Sequence, residues 1–398
     1  MAEWEMIKVK DIGRVVTGKT PKTAEQDNYG GDIPFLTPSD DMNLKYVVST
    51  GKTLTLKGME SVKGAIIPSE SVCVSCIGSD LGKVVITTDQ TVTNQQINSI
   101  IVNTEQYDID FVYYAMLILG KVLNYHSKTS TAVPIVNKST FSNYEIACPP
   151  LSTQKKIGRV LSSLDDKIEL NNRINENLEQ QAQVIYRAWF CNFLLTDGNR
   201  PLSWLTATIG ELTSLVVRGI TPKYNDDTDQ VVLNQKCIRN HMIDLSPARH
   251  HLPKAINEKW LERGDLLINS TGEGTLGRVA QVWFTPENLT VDSHITIVRP
   301  KSTELQNYIG LWGITHEVEI ESLHTGSTGQ TELPRERVKA MELPLPDAGT
   351  LSKFNEIITP MTQCIVKNQE ENARLAALRD TLLPKLMSGE LDVSEVEL

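Results

Sequence analysis

Residues 168–178 read IELNNRINENL, and residues 365–375 read IVKNQEENARL. In both stretches Ile, Asn, Asn and Leu follow one another at steps of three, four and three residues, and the stretches lie 197 positions apart. Such steps place side chains on one helix face, as in the seam of a coiled coil. Because seam asparagines cost stability but fix register and partner, these stretches predict two long helices that pair with each other.

The seam continues on both sides of these stretches. The first helix is predicted to begin near Thr153, after Pro149 and Pro150, and to run to around Phe193, a length of roughly 60 Å. The residues expected to pair the helices are Leu164, Ile168, Asn171, Asn175 and Leu178 in the first, and Met361, Ile365, Asn368, Asn372 and Leu375 in the second. Arg379 interrupts the second seam, and Pro360 is expected near its start or at a kink. We expect antiparallel pairing; two solvated helices with polar stripes are the alternative.

The regions before the two helices also repeat. Trp4 lies 200 positions before Trp204, and Gly18-Lys19-Thr20-Pro21 matches Gly219-Ile220-Thr221-Pro222 with one residue inserted. Short β-branched runs such as 71–77, 96–102, 265–268 and 294–298 predict strands in both halves. Many weak matches in one order at a nearly constant offset indicate a duplicated unit, each copy strand-rich and followed by a long helix.

Composition and charge limit the class of protein. The 398 residues, 40% hydrophobic and 22% charged, predict a soluble globular protein of more than one domain. No apolar stretch is long enough for a membrane span, the N-terminus lacks the pattern of a secretory signal, and six sparse cysteines indicate reduced thiols, so a cytoplasmic location is expected. The net charge of −10 argues against a simple nucleic-acid binder.

Several motifs suggest chemistry that their context does not support. Residues 13–20 fit the phosphate-loop pattern GxxxxGK[ST], but Pro21 follows at once and the second copy has Ile220 in place of the Lys, so a turn after a strand is favoured. Cys73 and Cys76 form one CxxC inside an apolar strand, which predicts core packing. His250-His251 is interpreted as a surface turn. Neither a methyl-transfer loop nor a nuclease pattern is found.

The ordered set of motifs resembles the specificity subunit of type I restriction–modification enzymes. Each half opens on a Trp followed by a G-x-T-P segment, the turn at 146–157 resembles that family's domain-closing motif, and 379–391 resembles its terminal helix. The second closing turn, at 347–350, departs from the pattern because it is poor in Pro. The resemblance implies an α+β protein with two similar strand-rich target recognition domains, joined by two long antiparallel coiled-coil helices in a pseudo-twofold arrangement.

The resemblance also implies a division of labour. Residues 1–150 and 198–347 would each read one half of a split duplex DNA target, while 151–197 and 348–398 would set the gap and dock two modification subunits. Restriction subunits would join that core. The chain would have no catalytic residues, metal or cofactor of its own, because S-adenosylmethionine, ATP and Mg²⁺ would belong to the partner subunits. No membrane partner is expected.

Base reading requires loops that present amide, hydroxyl and basic groups to the grooves. Polar loop residues at matched positions are therefore the candidate DNA contacts. In the first half they are Lys19, Thr20, Lys22, Ser39, Asp40, Ser79, Lys83, Gln95, Gln96, Ser130 and Thr131. In the second they are Arg218, Thr221, Lys223, Asn234, Lys236, Arg239, Asn240, Thr271, Thr275, Arg278, His294, Thr328 and Gln330. The alternatives are a duplicated binding scaffold that does not recognise DNA and, from residues 13–20, a phosphate-loop NTPase.

Overall fold

The computed structural model describes residues 4–47, 49–128, 135–326 and 331–393. The chain forms two compact units: unit 1 takes residues 1–170 and 371–398, and unit 2 takes 171–370. The α-helices are α1 (Val9–Ile12), α2 (Leu56–Glu60), α3 (Ile109–Lys128), α4 (Lys138–Ser142), α5 (Leu151–Tyr186), α6 (Ile209–Leu212), α7 (Gln306–Thr315), α8 (Glu317–Ser322), α9 (Arg335–Lys339) and α10 (Ala348–Met387). Within the described ranges no helix is long and apolar enough to cross a membrane.

Unit 1 is built on two four-stranded sheets. Its strands are β1 (Glu5–Lys8), β2 (Gly13–Thr17), β3 (Tyr29–Leu36), β4 (Thr53–Leu54), β5 (Ile66–Ile67), β6 (Val72–Ser75), β7 (Val84–Ile86), β8 (Thr91–Thr93), β9 (Ile97–Val102) and β10 (Glu145–Cys148). One sheet has the antiparallel order β2-β9-β6-β7, and the other has the order β4-β3-β8-β5 with β3 parallel to β8. The first sheet and α3 enclose a core that includes Val74, Ile100, Phe111 and Tyr114.

Unit 2 repeats this arrangement with different residues. Its strands are β11 (Leu205–Thr208), β12 (Thr213–Arg218), β13 (Val231–Leu233), β14 (Ile238–Arg239), β15 (Met242–Ile243), β16 (Arg249–His250), β17 (Leu266–Asn269), β18 (Val279–Gln281), β19 (Leu289–Val291), β20 (Ile295–Pro300) and β21 (Glu342–Leu345). The antiparallel order β12-β20-β17-β18 matches β2-β9-β6-β7, and β13 is parallel to β19 as β3 is to β8. The β14–β15 hairpin has no counterpart among the named strands of unit 1. The predicted duplication is confirmed by this shared strand order.

The two long helices pair antiparallel inside each unit. In unit 1, Asp165 of α5 contacts Arg379 of α10 at 2.7 Å and Lys167 contacts Glu371 at 3.5 Å, so the numbering rises on one helix as it falls on the other. In unit 2, the side-chain amide of Asn368 donates to that of Asn175 at 2.8 Å. Asn171 and Asn175 are both buried, as seam positions require. The predicted antiparallel pairing of the two long helices is therefore confirmed.

Helix bounds differ in detail from the sequence prediction. The α-helix α5 begins at Leu151 and ends at Tyr186, and the expected continuation toward Phe193 is instead a π-helical turn, Arg187–Cys191. Aromatic crowding accompanies this turn, because the ring of Phe190 packs within 5.3 Å of Tyr186 and 4.9 Å of Phe354. The second helix, α10, is continuous from Ala348 through Pro360 to Met387, so the proline lies twelve residues after its start and does not end it.

A buried lysine connects the sheet region of unit 1 to its helix. The ammonium of Lys45 lies 2.8 Å from an Asp110 oxygen and donates to the Ser162 hydroxyl of α5 at 2.7 Å. It also faces the ring of Tyr46, 4.9 Å from its centroid. Burial lowers the pKa of Lys45, but the hydrogen bond and charge of Asp110 outweigh burial and raise it. Lys45 therefore stays charged in the folded protein.

A buried ion pair performs a similar task in unit 2. The Asp265 side chain is 0% exposed, and its two carboxylate oxygens accept from Nε and Nη2 of Arg299, both at 2.8 Å. The same guanidinium donates to the Trp260 carbonyl at 2.6 Å and contacts Glu262. These contacts connect the start of β17 to β20 and connect β20 to the loop that precedes β17.

Candidate nucleic-acid interface

Strand order places most of the candidate loops of unit 1 at one end of its sheets. Thr17 at the end of β2 pairs with Asn98 at the start of β9, and Val74 near the end of β6 pairs with Val84 at the start of β7. The loops that follow β2 and β6 and the loop that precedes β9 therefore emerge together. The loop after β3 joins them, because Asn94 N donates to the Leu36 carbonyl at 3.0 Å.

Hydrogen bonds fix these loops of unit 1 to one another. Lys19 N donates to the Thr93 carbonyl at 2.8 Å, and the Thr20 hydroxyl donates to the Gln95 side chain at 2.7 Å. The Gln96 side chain accepts from the Asn94 amide at 3.2 Å. The Lys19 side chain itself is exposed. This end of unit 1 thus presents amides and a cation on a braced surface, which is the chemistry that groove edges require.

Other candidates of unit 1 have structural partners. Asp40 accepts from Thr37 N and Gly51 N, both at 2.7 Å, so it holds its own loop closed, while Ser39 contacts the Thr37 hydroxyl at 2.7 Å. Lys83 is paired with Asp80 at 2.8 Å, and Lys22 with Glu25 at 3.3 Å. Ser79 lies in the 3-10 turn Gly78–Asp80, and Ser130 and Thr131 lie outside the described residues.

The same end of unit 2 carries a groove of about 640 Å³. Two candidates meet in it, because the Thr271 hydroxyl and His294 Nδ1 are 2.8 Å apart. Gln235 joins them by donating to the Thr271 carbonyl at 2.9 Å. The groove is lined by Gln235, Thr271, Gly272, Glu273, Gly274, Leu276, His294, Glu321, His324, Thr331 and Glu332. Sequence reasoning missed Gln235, although it lies between two candidates, Asn234 and Lys236.

The remaining candidates of unit 2 are placed as follows. Asn234 caps a turn by donating to the Pro247 carbonyl at 2.7 Å and accepting from Lys236 N at 2.9 Å, and Arg218 contacts Glu332 at 2.8 Å. Thr275 donates to the Thr271 carbonyl at 3.4 Å. The exposed or half-exposed side chains that have no such anchor among the described residues are those of Thr221, Lys223, Lys236 and Arg278. Thr328 and Gln330 lie outside the described residues.

Arg239 and Asn240 lie on the β14–β15 hairpin, which contacts a long helix. The next residue, His241, contacts Glu179 of α5 through Nδ1 at 2.5 Å and Glu317 of α8 through Nε2 at 3.6 Å. Burial lowers the pKa of His241, but the hydrogen bond with Glu179 and both carboxylate charges outweigh burial and raise it. Asn240 and His241 have φ of 50° and 57°, the left-handed conformation of a tight turn. The contacts of this hairpin thus run to α5 and α8.

The motifs that suggested other chemistry have structural explanations. Residues 13–17 are strand β2, so the backbone is extended where a phosphate loop would wrap around an anion. Cys73 and Cys76 are buried, and burial raises the pKa of Cys73 to about 12 and that of Cys76 to about 11. The predicted core packing of both cysteines is confirmed. In the described ranges no three His, Cys, Asp or Glu residues are grouped as metal ligands would be.

The interpretation of His250-His251 as a surface turn is wrong, because His250 is exposed but lies in a strand, and His251 is not at the surface. His250 lies in strand β16 and is exposed, whereas His251 is fully buried. His251 Nδ1 donates to the Leu252 carbonyl at 2.9 Å, and its own carbonyl accepts from the Thr228 hydroxyl at 2.6 Å. His251 N donates to the Gln230 carbonyl at 3.0 Å, and the residue forms a β-bridge with Tyr224. Two adjacent letters in a sequence do not reveal such contacts with distant segments.

Known proteins resemble this chain along its length. Residues 1–180 match the family described as type I restriction modification DNA specificity domain. The MjaIX type I restriction enzyme specificity subunit of Methanocaldococcus jannaschii is 27% identical, over 99% of this chain and 95% of that protein. The HindI specificity subunit of Haemophilus influenzae is 36% identical over 180 residues, 44% of this chain and 39% of that protein.

A solved structure has the same fold. The type I restriction–modification S subunit from M. genitalium superposes with a TM-score of 0.53 at 16% identity, covering 96% of each chain. The predicted α+β architecture, with strand-rich regions and two long helices, is confirmed by this likeness and by the strand order given above. By these sequence matches, the chain is similar to type I restriction–modification specificity subunits along its length, and its residues 1–180 match the family's DNA specificity domain.

Proposed function

We propose that this chain is the sequence-reading subunit of a type I restriction–modification complex, in which each half reads one part of a bipartite duplex target. The observation that carries the proposal is the repeated strand order, which brings polar loops to the same end of the sheets in both units. The side chains on these loops differ between the units. The loops of unit 1 carry Lys19, Thr20 and Gln95, whereas those of unit 2 carry Gln235, Thr271 and His294. Different side chains on one scaffold are what two different half-sites require.

The catalytic roles belong, on this proposal, to other subunits. Residues 1–150 and 198–347 are the reading domains, while 151–197 and 348–398 set the gap and dock two modification subunits, with restriction subunits joining that core in the cytoplasm. S-adenosylmethionine, ATP and Mg²⁺ act in those partners. The net charge of −10 supports shared DNA binding, since partners must then contribute phosphate contacts. Moreover, Lys45, Arg299 and Arg379 are already engaged in internal ion pairs.

Exchanging residues 1–150 for those of a specificity subunit with a different target tests the bipartite reading. We expect one half-site of the methylated sequence to change and the other to stay, because each unit carries its own set of reading loops. Adenine methylation is mapped in DNA from cells that express the hybrid with the modification subunits. The matched control exchanges 198–347. A hybrid that alters both half-sites, or neither, contradicts the proposal.

Lengthening the helix pair tests the proposed spacing role. Seven residues are inserted after Asn175 of α5 and seven before Asn368 of α10, which keeps the seam in phase on both helices. Because seven helical residues add roughly 10 Å, the preferred gap should grow by about 3 base pairs. The same insertion in the exposed loop at 197–199 is the control. An unchanged gap refutes the spacing role, and a wild-type assembly without salt-sensitive duplex binding supports the scaffold alternative instead.

A further inference from the structure

An arginine of unit 2 is stacked on a tyrosine ring at the protein surface. The guanidinium carbon of Arg249 lies 3.6 Å from the centroid of Tyr224, and both side chains are exposed. Arg249 belongs to β16, the edge strand of the order β16-β13-β19, where it pairs with Val232. No sequence motif singled out either residue.

The platform beneath the arginine is braced from several sides. Tyr224 forms a β-bridge with His251, Leu252 N donates to the Lys223 carbonyl at 2.8 Å, and Asn225 N donates to the His250 carbonyl at 3.1 Å. The ring position is therefore set by backbone bonds on both sides of Tyr224. A stacked guanidinium keeps its plane, so its N–H groups point outward in a fixed fork.

The donors of Arg249 are not engaged by protein. In the described part of the chain, the Arg249 guanidinium forms no hydrogen bond and no ion pair within 4 Å, in contrast to the guanidinium groups of Arg218, Arg299 and Arg379. The adjoining loop does carry carboxylates at Asp226, Asp227 and Asp229, yet none of them is ion-paired with it in the described residues. An unpaired, pre-oriented guanidinium on a chain of net charge −10 is available to an anion from outside.

Two lysines extend this cationic surface. Lys223, next to the tyrosine, is exposed, and Lys254 donates through Nζ to the Thr221 carbonyl at 3.3 Å, which holds it against the same loop. Together Lys223, Arg249 and Lys254, with Tyr224 between them, form a patch that we call the Arg249 patch. Several cations along one surface suit the repeated phosphates of a nucleic-acid backbone better than a single base edge.

We propose that the Arg249 patch binds the phosphodiester backbone of duplex DNA and so positions unit 2 on its half-site. This inference rests on the proposed function and deepens it. It separates two tasks in unit 2, because the groove of Gln235, Thr271 and His294 presents amide, hydroxyl and imidazole groups to bases, while the patch supplies sequence-independent grip. Arg249 donates two N–H groups to one phosphate in the bidentate geometry that a planar guanidinium favours.

The test measures binding of the full chain, alone and with its modification subunits, to a fluorescent mixed-sequence duplex of 40 base pairs, between 50 and 200 mM salt. We expect Arg249→Ala to weaken binding roughly tenfold and to reduce the slope of log affinity against log salt by about one. Arg249→Lys should keep the salt slope but lose part of the affinity, because a lysine has no planar fork. Tyr224→Phe, which keeps the ring, should bind like wild type, and Tyr224→Ala should weaken binding.

The matched control is Arg263→Ala, an exposed arginine before β17, at the end of that strand away from the groove; it should bind like wild type. If wild type binds and Arg249→Ala binds equally well, the patch proposal is overturned while the proposed function stands. If Arg249→Ala keeps its affinity for the mixed sequence but changes the preferred target, Arg249 reads a base and the proposal is also overturned. If no assembly of wild type binds duplex DNA, the proposed function itself fails.

Discussion

Replacing Arg299 with alanine is expected to destabilise unit 2 by about 3 to 5 kcal/mol, because it leaves the buried carboxylate of Asp265 without its partner. Asp265 is fully buried and receives two hydrogen bonds of 2.8 Å from that guanidinium. Its remaining bond, from Glu262 N at 2.8 Å, does not neutralise the charge. The loss should exceed what either hydrogen bond contributes by itself, since an unpaired buried charge costs more than a pair yields.

Urea unfolding followed by tryptophan fluorescence measures this effect. Of the six tryptophans, Trp189, Trp204, Trp260, Trp283 and Trp312 lie in unit 2, so the signal reports mainly on that unit. The double variant Arg299→Ala with Asp265→Ala should recover part of the lost stability, because it removes the stranded charge. Arg263→Ala, at an exposed position, should shift stability by less than about 0.5 kcal/mol. A loss below about 1 kcal/mol for Arg299→Ala would mean that Asp265 is not held by this pair.

Replacing Lys45 with methionine is expected to destabilise unit 1 by on the order of 2 to 3 kcal/mol. Methionine keeps most of the aliphatic volume but removes the ammonium that Asp110 and Ser162 contact at 2.8 and 2.7 Å. The expected cost is smaller than for Arg299, because the Asp110 side chain is 33% exposed and water can solvate it when the lysine is gone. Since Ser162 lies on α5, the variant should also loosen the sheet region of unit 1 from its helix.

Hydrogen–deuterium exchange locates this second effect. Residues 40–47 and helix α3, which carries Asp110, should exchange faster in Lys45→Met, while unit 2 should exchange as in wild type. Lys57→Met is the matched control, because Lys57 also pairs with a carboxylate, Asp27 at 3.2 Å, but both side chains are more than half exposed. A surface pair of that kind contributes less than about 1 kcal/mol. Equal effects of the two substitutions would contradict the role assigned to burial.

The paired helices could be predicted from the sequence because their signal is local and periodic. Asn171, Asn175 and Asn368 stand at seam positions, and the structure buries the first two and bonds the third to Asn175. The role of Arg379 could not be predicted, since its partner Asp165 lies 214 positions away and only pairing of the helices brings them to 2.7 Å. Arg379, which interrupts the apolar seam in the sequence, thus forms a polar contact between the two helices.

Pro360 lies in the interior of α10 without ending the helix, although proline usually breaks or kinks a helix. A proline in a helix interior removes one backbone hydrogen bond, yet α10 continues through it. Pro360, Glu356 and Ile357 are exposed, so the carbonyl that loses its partner lies on the side of the helix that water reaches. Whether that face is exposed or buried depends on tertiary packing, which the sequence pattern around Pro360 does not encode.

The candidate interface was predictable as a set of loops, and less so residue by residue. Repeated positions led to Thr271 and His294, which lie 2.8 Å apart in the groove. The same reasoning chose Asp40 and Asn234, whose side chains are occupied in closing their own turns, and passed over Gln235 and Arg249. A polar letter in a loop does not distinguish a side chain that caps a backbone from one that faces outward, because both follow from turn chemistry. Which candidates contact DNA stays a prediction.

Unit 1 is assembled from two separate segments of the chain, 1–170 and 371–398, and this affects when it can fold during translation. Its core includes Leu383, Leu386 and Met387 from the end of α10 together with Phe111 and Ile157, and Trp4 packs against the same core. Translation proceeds at about 5 to 20 residues per second, and a domain that is synthesised early commonly folds before the rest of the chain emerges. Unit 1 cannot complete its core in that way, because its segment 371–398 is translated only after all of unit 2. Unit 2, whose residues 171–370 are contiguous, has all of its chain available first, so it is the unit that can finish folding earlier.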